Sequence, residues 1–333
     1  MAHLVSILIP AYNAEKWIGD TIQSALNQTW PRKEIIIVDD GSRDNTLRIA
    51  RAFESASVKV ETQKNRGASA ARNHALSLAQ GNYIQWLDAD DLLAPDKISL
   101  QLKYVESSRN ERIPLTSSFG VFYYRKEKAA FQPHSLWQDL DPVEWLLRKF
   151  NENLWMTPST WLISRELTER AGPWNEKLTL DDDGEYFCRL VASSEQIMFV
   201  KEAKSYYRQW SLGSLSRTKS YDACNSLLLS LTLSIGYLRS LEDSDRTRKA
   251  SLKLLQTWSH YFYPEKQELV NRMNAFAKEL HGELLPPDLG WKYSFIKTIL
   301  GWQAAKETRD IARKIRLSSS ISWDKLMYNL SPK

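Results

Sequence analysis

Short apolar segments alternate with helical stripes between residues 4 and 91, and this alternation limits the possible folds more than any other feature of the chain. Four apolar segments have the composition of buried strands, at residues 4–10, 34–38, 58–62 and 83–87. Helical spacing of apolar residues predicts helices between them, at residues 14–28, 46–55 and 68–79. Asn13 is expected to cap the first helix. Repeated strand, loop and helix predict an α/β fold with a largely parallel sheet.

The fourth predicted strand ends in three carboxylates, those of Asp88, Asp90 and Asp91. Clustered carboxylates repel one another unless a cation lies between them, and oxygen ligands suit Mg²⁺ or Mn²⁺. The cluster contains neither His nor Cys, which argues against zinc. A second interpretation is a helix start, with Asp90 or Asp91 capping a helix that Pro95 opens. Both interpretations stay open, and they can hold together with different residues.

Polar residues directly follow three of the predicted strands. They are Tyr12 and Asn13, then Asp39 and Asp40, then residues 88–91. In parallel sheets, ligands bind beyond the carboxyl ends of the strands, so we expect these residues to share one pocket. Neither G-x-G-x-x-G after the first strand nor G-x-x-x-x-G-K-[ST] occurs in the chain. A nucleotide bound here is therefore held without the usual phosphate cradles.

Four motifs in this part of the chain resemble those of a known enzyme family. They read Ile-Pro-Ala-Tyr-Asn at 9–13, Val-Asp-Asp-Gly-Ser at 38–42, Asn-Arg-Gly at 65–67 with Ala-Arg-Asn at 71–73, and Leu-Asp-Ala-Asp-Asp at 87–91. Their order is similar to that in the family 2 inverting glycosyltransferases, and the resemblance covers residues 5 to about 216. It implies a GT-A-type, mostly parallel sheet flanked by helices. His74 and Ala75 replace a Gly that often follows the Arg-Asn pair in the family.

The resemblance assigns donor-binding roles to residues of these motifs. It implies that Pro10, Ala11 and Tyr12 line the nucleotide base and ribose, that Asp39 hydrogen-bonds the base, and that Arg72 faces the nucleotide or its diphosphate. These roles suit a carboxylate that accepts from an imide N–H and a guanidinium that matches phosphate oxygens. The other expected donor-site residues are Asn13, Asp40, Arg66, Gly67, Asp88 and Ala89. Without the family, Asp39 and Asp40 begin a turn and Arg72 is an exposed helix residue.

The same resemblance makes Asp88 and Asp90 a D-x-D pair that binds Mg²⁺ or Mn²⁺, with Asp90 as the direct ligand. Residues 180–190 resemble the family's Glu-Asp motif, in which an Arg follows the catalytic carboxylate by six positions. Counting back from Arg189 gives Asp183 as the candidate base, and Asp182 stands where the family more often has Glu. We expect both to be catalytic residues. Without the family, this cluster is an acidic helix N-terminus favoured by the helix dipole.

Residues 207–217 end the resemblance, in a segment that closes over the donor diphosphate in many relatives. Arg208 and Ser214 are expected to donate to phosphate oxygens, as are Ser216 and Arg217. The segment has no His, so no metal ligand is expected from it. The Gln-x-x-Arg-Trp order and the membrane spans of processive synthases are also missing, which favours the addition of a single sugar.

The resemblance implies an inverting transfer of one sugar from a nucleotide-sugar, expected to be a UDP-sugar, to an acceptor hydroxyl of a glycan or lipid-linked saccharide. Asp183 takes the acceptor proton as general base, and a metal at Asp88 and Asp90 neutralises the leaving diphosphate. The alternatives are a sugar-phosphate nucleotidyltransferase and a non-catalytic nucleotide-sugar-binding protein. Nucleic acid is not expected as a partner, because the aromatic residues form no stacking platform.

The positive charge is concentrated at the C-terminus. The chain carries a net charge of +5, whereas residues 291–333 alone carry +6, from nine Lys and Arg against three acids. We expect a catalytic domain over residues 1–218 and a mainly helical region over 219–333 with a basic tail from about 291. Apolar residues at helical spacing in the tail allow two interpretations: a helix on an anionic membrane, or a helix packed on the catalytic domain with a solvated basic face.

Cysteine usage and hydropathy predict where the chain works. Two cysteines form no disulfide framework, and no basic-then-apolar signal peptide opens the sequence. The longest weakly polar run, residues 226–238, is too short to span a bilayer. A cytoplasmic location is expected, and the inner face of the plasma membrane is expected if the tail binds lipid.

Overall fold

The structure is a computed structural model that describes residues 3–108, 110–209 and 220–330. Its first four strands are β1 Val5–Ala11, β2 Lys33–Asp39, β3 Val58–Thr62 and β4 Tyr83–Trp86. They pair in parallel in the order β3, β2, β1, β4. Each strand begins and ends within about one residue of its predicted position, so the parallel part of the predicted sheet is confirmed.

The later strands make the sheet mixed. They are β5 Leu92–Leu93, β6 Leu115–Phe122, β7 Ala130–Phe131, β8 Leu162–Ser164 and β9 Met198–Arg208. β8 runs antiparallel to β4 and β6, β9 runs parallel to β6, and β5 and β7 add antiparallel edges. The apolar and aromatic residues at 119–125 predict a strand, and the structure places that strand earlier, as β6. The apolar pattern does not extend over the first half of β6 because Thr116, Ser117 and Ser118 are buried polar residues.

Helices cover both faces of the sheet. Those of the first half are α1 Ile18–Leu26, α2 Thr46–Arg51, α3 Ala68–Leu78 and α4 Lys97–Ser108. Ile7 and Ile9 of β1 belong to the same core as α1 and α4, whereas Leu8 belongs to the core that contains α3. Alternate residues of one strand therefore enter different cores, which explains why the strand reads as a continuous apolar run. α2 is shorter than predicted, since it ends at Arg51.

Two predicted helix caps are wrong. α1 begins at Ile18 after Trp17, and Asn13 lies before it in the left-handed region with φ of 49°. The Asn13 Oδ1 instead accepts a hydrogen bond of 2.9 Å from the backbone N–H of Arg43, so a contact with the next loop replaces the cap. α4 begins only at Lys97, after β5, and therefore neither Asp90 nor Asp91 caps it.

Among the described residues of the second half, three α-helices lie around the sheet and four form a C-terminal extension. The first three are α5 Pro142–Glu152, α6 Arg165–Ala171 and α7 Asp182–Ala192. The extension contains α8 Tyr221–Leu241, α9 Asp245–Trp258, α10 Gln267–Glu279 and α11 Trp291–Leu330, the last interrupted at Gly301 with φ of 83°. The predicted fold class, a sheet flanked by helices with a helical C-terminal extension, is confirmed.

The extension is attached to the sheet domain by packing and by buried hydrogen bonds. α8 packs on α7, and the Ser226 hydroxyl accepts from the backbone N–H groups of Thr179 and Leu180 at 2.8 and 3.0 Å. α11 is held through Asp324, which pairs with Arg125 at 2.7 Å. Across residues 3–108, 110–209 and 220–330, no helix is both long and apolar enough to span a bilayer.

Candidate active site

The carboxyl ends of β1, β2 and β4 meet at one edge of the sheet. β1 lies between the other two, with Ala11 opposite Asp39 and Leu8 opposite Trp86. The backbone N–H of Asp40 donates to the Ala11 carbonyl at 2.8 Å, which holds the two loops together. The three polar groups that follow these strands therefore lie on one rim, as the sequence predicts.

Asp39 is a buried carboxylate with one oxygen in use and one unpaired. Its Oδ2 accepts from the Ser42 backbone N–H and the Thr62 hydroxyl, both at 3.2 Å. Its Oδ1 is buried and has no hydrogen-bond partner among the residues that the structure describes. An unpaired buried carboxylate oxygen is costly, and it suits a ligand that donates a hydrogen bond there. The turn interpretation also holds, because Oδ2 closes the turn at residues 39–42.

The neighbouring Asp40 is used within the protein. Its Oδ1 accepts from Gln63 Nε2 at 2.8 Å and from the Arg66 backbone N–H at 2.9 Å, and its Oδ2 accepts from the Gly67 N–H at 2.8 Å. These bonds hold the loop before α3, where Gly67 adopts a φ of 91° that favours glycine. The structure thus gives Asp40 a scaffold role within the expected donor site.

Other members of the expected donor site surround this rim. Pro10 and Ala11 end β1, and Tyr12 is 44% exposed directly after them. The side chain of Arg66 is 62% exposed and pairs with Glu176 at 2.7 Å. Tyr12 is therefore available for a flat ligand, whereas Arg66 is engaged at the surface.

Arg72 joins the two acidic clusters of the sequence. Its Nη2 donates to Asp88 Oδ1 and its Nη1 donates to Asp182 Oδ2, each at 2.8 Å. Its guanidinium also lies over the Trp174 ring at 4.3 Å. Burial opposes the charge, but Asp88 and Asp182 outweigh it and raise the pKa of Arg72. Arg72 is 6% exposed, so its interpretation as an exposed helix residue is wrong.

The acids after β4 differ in what they contact. Asp88 is partly exposed and pairs with Arg72, whereas Asp91 is fully buried. Asp91 accepts from the Arg208 backbone N–H at 2.9 Å and from the Ser159 hydroxyl at 3.2 Å. Burial, followed by the charges of Asp90 and Asp88, raises the pKa of Asp91 well above its usual value. Asp91 therefore anchors the loop and is bonded into the protein, whereas Asp88 is partly exposed.

Arg208 supports this acidic loop from β9. Its Nε donates to the Asp90 carbonyl at 2.9 Å, and its guanidinium lies 4.0 Å from the Trp17 ring and 4.5 Å from the Phe122 ring. The Ala89 carbonyl accepts from the Thr21 hydroxyl at 2.9 Å. Arg208 is 4% exposed and buried against the loop, where phosphate binding was expected. Ser214, Ser216 and Arg217, expected in the same segment, lie outside the described residues.

The second acidic cluster opens α7, as the sequence predicts. Asp181 precedes the helix with φ of 60°, and its Oδ2 accepts from the Ser230 hydroxyl at 2.6 Å. Asp182 accepts from the Ser69 hydroxyl at 3.0 Å in addition to Arg72. These contacts fix two of the three acids, one to the extension and one to α3.

Asp183, in the same cluster, has a strongly raised pKa. Burial, then the charges of Asp182 and Asp181, raises its pKa from 3.8 to about 7, although Arg72 acts in the opposite direction. Asp88 contributes to the same rise. A carboxyl that titrates near neutral pH can accept a proton from a substrate hydroxyl. The charge of Asp88 therefore reaches Asp183, and Arg72 bonds both Asp88 and the neighbouring Asp182.

Arg189, which set the register of this motif, is not part of the site. It pairs with Glu185 at 2.8 Å, and it donates to the Ala171 carbonyl and, at 2.8 Å, to the Pro173 carbonyl at the end of α6. Its position six residues after Asp183 therefore reflects the anchoring of α7.

Asp88 and Asp90 fit one kind of metal site. Within residues 3–108, 110–209 and 220–330, no group of three or more His, Cys, Asp or Glu is arranged to hold a metal ion. Two carboxylates on one loop suit Mg²⁺ or Mn²⁺ when phosphate oxygens of a ligand complete the coordination. The donor set therefore fits a metal shared with a bound diphosphate.

A small cavity beside Asp183 contains residues that were not predicted. Its volume is about 40 Å³. Trp145, Lys149, Trp155, Met156 and Trp161 line it together with Asp181, Asp183, Gly184 and Phe187. Trp155 is 46% exposed, which is unusual for so large an aromatic residue. Four Trp residues between positions 137 and 161 are the sequence signal that could have indicated this aromatic wall.

Tyr207 lies between this aromatic wall and the acids. Its ring contacts Trp155 at 5.2 Å between centroids. Burial raises the Tyr207 pKa, and the charges of Asp91, Asp90, Asp88 and Asp183 add to the rise. The hydroxyl therefore stays protonated near both acidic clusters. Nothing in its local sequence distinguishes it from other strand tyrosines.

Several known proteins are similar to this chain in sequence or in fold. The family model for glycosyl transferase family 2 matches residues 6–171. Glycosyltransferase GlyG of Streptococcus pneumoniae serotype 4 is 30% identical over 233 residues, which are 66% of this chain and 75% of GlyG. UDP-Glc:alpha-D-GlcNAc-diphosphoundecaprenol beta-1,3-glucosyltransferase WfaP of Escherichia coli is 39% identical over 125 residues, 37% of this chain and 48% of WfaP.

A solved structure extends the similarity to the fold. S. aureus TarS 1–349 in complex with UDP-GlcNAc superposes with a TM-score of 0.65 at 18% identity, over 83% of this chain and 81% of that one. The family model and the match to three quarters of GlyG agree with the motifs and with the acids gathered around Arg72. The chain therefore belongs to glycosyl transferase family 2.

Proposed function

We propose that this enzyme is a metal-dependent, inverting glycosyltransferase that moves one sugar from a UDP-sugar to an acceptor hydroxyl of a glycan or lipid-linked saccharide. The observation that carries the proposal is the Arg72 bridge, with 2.8 Å to Asp88 and 2.8 Å to Asp182. It brings the candidate base on α7 beside the acids that follow β4. The UDP-GlcNAc of TarS and the lipid-linked acceptor named for WfaP support the substrate classes.

Donor binding is assigned to the rim between β1 and β2. The unpaired Asp39 Oδ1 accepts from the imide N–H of uracil, which removes the cost of a buried unsatisfied oxygen. The exposed ring of Tyr12 packs against the base. Thymine carries the same imide, whereas N3 of cytosine is an acceptor, so these contacts favour uracil or thymine over cytosine.

Asp88 and Asp90 would hold the divalent metal together with the donor diphosphate. When bound there, Mg²⁺ or Mn²⁺ acts as a Lewis acid that neutralises charge on the leaving group. Arg72 keeps Asp88 in place on the side towards α7, and Arg208 fixes the loop through the Asp90 carbonyl. The chain thus presents its acids in a fixed arrangement before the donor binds.

Asp183 acts as the general base. It takes the proton of the acceptor hydroxyl as the oxygen attacks the anomeric carbon opposite the leaving diphosphate, and this attack inverts the configuration. Its pKa of about 7 lets the carboxylate be present at neutral pH while remaining basic enough to accept the proton. Asp182 positions the start of α7 through its bond to Arg72.

A screen of nucleotide-sugars tests the proposal without knowledge of the acceptor. We expect one or more UDP-sugars, with Mn²⁺, to raise the Tm and to be hydrolysed slowly to UDP. Thermal shift with and without metal, followed by detection of released UDP, measures both effects. Turnover of a nucleoside triphosphate with a sugar 1-phosphate would instead identify a nucleotidyltransferase, and binding with neither reaction would identify a binding protein.

We also propose that α11 contacts an anionic membrane from the cytoplasmic side. Phe295, Ile299 and Ile315 are 73%, 60% and 62% exposed in a segment that carries a net charge of +6. Apolar side chains among cations suit the surface of acidic lipids. Lys306 and Asp324 meanwhile tie the helix to the rest of the chain through Glu265 and Arg125.

Sedimentation with vesicles that contain phosphatidylglycerol tests this contact. The full chain should sediment with these vesicles and not with neutral ones. The double variant Phe295→Asp and Ile299→Asp should stay in the supernatant, whereas Leu285→Asp should sediment, because Leu285 is 72% exposed but lies outside the helix. If the full chain remains soluble with both kinds of vesicle, the membrane contact is wrong.

A further inference from the structure

A second, larger cavity of about 390 Å³ lies beside the small cavity at Asp183. Its volume is within the range of small-molecule sites, which begins at roughly 300 Å³. The end of β6, the β7 edge, the end of β9 and α11 all contribute to its walls. Its polar residues are Arg125, Lys128, Gln132, Gln209 and Asp324. No role in donor binding or catalysis has been assigned to these residues.

Two aromatic residues connect this cavity to the active site. Trp155 lines both cavities, so it borders the small cavity at Asp183 and the larger one. Tyr207 lines the larger cavity, and the charges of Asp88, Asp90, Asp91 and Asp183 all act on its hydroxyl. The two cavities therefore share Trp155 as a lining residue, along which an acceptor at Asp183 can extend.

The lining combines the groups that recognise a saccharide. A half-exposed indole offers a flat apolar surface for the C–H face of a pyranose ring. The Gln132 amide and the Lys128 ammonium are exposed at the wall and can reach sugar hydroxyls. A neutral hydroxylated ring satisfies such mixed donors and acceptors better than a purely apolar molecule does.

The C-terminal extension fixes the shape of this cavity. Asp324 of α11 accepts from the backbone N–H groups of Tyr124 and Arg125 at 2.8 and 3.2 Å and from Arg125 Nε at 2.7 Å. The Asp324 carboxylate is largely buried, and the neighbouring Tyr328 ring contacts Tyr124. The helix therefore completes one wall of the cavity with a rigid set of bonds.

We propose that the 390 Å³ cavity binds the second sugar unit of the acceptor, with Trp155 between that unit and the terminal sugar at Asp183. This inference rests on the proposed function, because it requires a saccharide acceptor. It makes the enzyme selective for acceptors of at least two sugars, and it gives α11 a part in acceptor recognition.

Kinetics with p-nitrophenyl glycosides of matched mono- and disaccharides test the inference. In the wild-type enzyme, the KM of a reactive disaccharide should be about 10-fold lower than that of the monosaccharide with the same terminal sugar. Gln132→Ala and Lys128→Ala should each remove most of this advantage and leave the monosaccharide KM unchanged within about twofold. Trp155→Ala should raise the KM of both acceptors, because its side chain borders both cavities.

Glu127→Ala is the matched control, since Glu127 is exposed on the same turn as Lys128 and does not line the cavity. It should keep the disaccharide advantage. Equal KM values for the two wild-type acceptors, an advantage that survives Gln132→Ala and Lys128→Ala, or a panel with no reactive disaccharide would each overturn the subsite. Released UDP in the absence of any acceptor tests the proposed function separately, so its failure is distinguishable.

Discussion

The two acidic clusters of this enzyme have nearly the same composition but different chemistry. Each has one carboxylate bonded into the scaffold, Asp91 after β4 and Asp181 before α7. Each has a second carboxylate paired with Arg72, Asp88 in the first and Asp182 in the second. The third acids, Asp90 and Asp183, are the ones to which the motifs assign the metal and the proton.

The difference lies in the surroundings of the acids whose pKa is raised. In the first cluster this acid is Asp91, which is fully buried and turned into the protein towards Ser159 and Arg208. In the second cluster burial raises the pKa of both Asp181 and Asp183. Asp181 is bonded to Ser230, whereas Asp183 lines a cavity and is the candidate base. Burial thus raises the pKa of a structural carboxyl in each cluster and of the candidate proton acceptor in one. The bonds that each acid already makes, rather than the number of acids, therefore separate the two roles.

Replacing the third acid of the second cluster should have the largest effect. Asp183→Asn removes the proton acceptor and should lower kcat for transfer by about 1,000-fold, with the KM for the donor within about twofold. Asp182→Asn, one residue away, should lower kcat by only about 10-fold, because Asp182 positions α7 through a hydrogen bond. Steady-state kinetics with a UDP-sugar distinguish them. Equal losses in the two variants would show that Asp183 is not the base.

Removing the link between the clusters should cost stability. Arg72→Met leaves Asp88 and Asp182 without their buried partner, and the free energy of unfolding should fall by about 3–5 kcal/mol. Arg66→Met is the matched control, because the Arg66 pair with Glu176 is exposed and should contribute about 0–1 kcal/mol. Urea unfolding measures both. A loss below about 1 kcal/mol in Arg72→Met would mean that the clusters hold together without it.

The dependence of activity on a divalent metal tests the role assigned to the first cluster. Chelation by EDTA should lower transfer by about 100-fold, and Mn²⁺ should restore it, if phosphate charge is neutralised at Asp88 and Asp90. Asp90→Asn should lose a similar factor that added Mn²⁺ does not restore. Asp20→Asn, an equal charge change at an exposed acid near Arg208, should stay within about twofold of wild type. Full activity in EDTA would contradict the metal assignment.

The positions of both acidic clusters could be predicted from the sequence, because each cluster directly follows or begins a helix or strand. β3 has its predicted bounds, since it is a short apolar segment between clear breaks. The D-x-D pair and Asp183 could be located by counting along such elements. Local spacing is sufficient wherever the neighbours that decide a residue's role are near in the chain.

Contacts between distant segments could not be predicted in this way. Arg72 and Asp182 are 110 positions apart, and Asp91 and Arg208 are 117 positions apart. No periodicity encodes such pairs, so Arg208 was expected on phosphate and Arg72 was left between two interpretations. The Asn13 cap failed for the same reason, because a bond to Arg43 across two loops replaced the local one.

The raised pKa of Asp183 should also make the Tm depend on pH, and this is the smallest of the expected effects. Its folded pKa of about 7 lies above its ordinary value of 3.8, so the folded state binds the extra proton between these two values. This contribution to stability is present at low pH and is lost as the pH rises from about 4 to 7. The Asp183→Asn variant does not ionise at this position, so it keeps this contribution at high pH. Its Tm at pH 8 should therefore exceed that of the wild type by about 1–2 °C, a value reduced to allow for the partial exposure of the carboxyl.

The same pair of proteins at pH 4 gives the control, because both are then neutral at position 183 and their Tm values should converge. Differential scanning calorimetry from pH 4 to 8 measures the separation. The rate of transfer should follow the opposite course in the wild type, falling about tenfold per unit below pH 7 as the base is protonated. An Asp183→Asn variant that is less stable than the wild type at pH 8 would mean that Asp183 is a structural acid like Asp91, and the contrast between the two clusters would disappear.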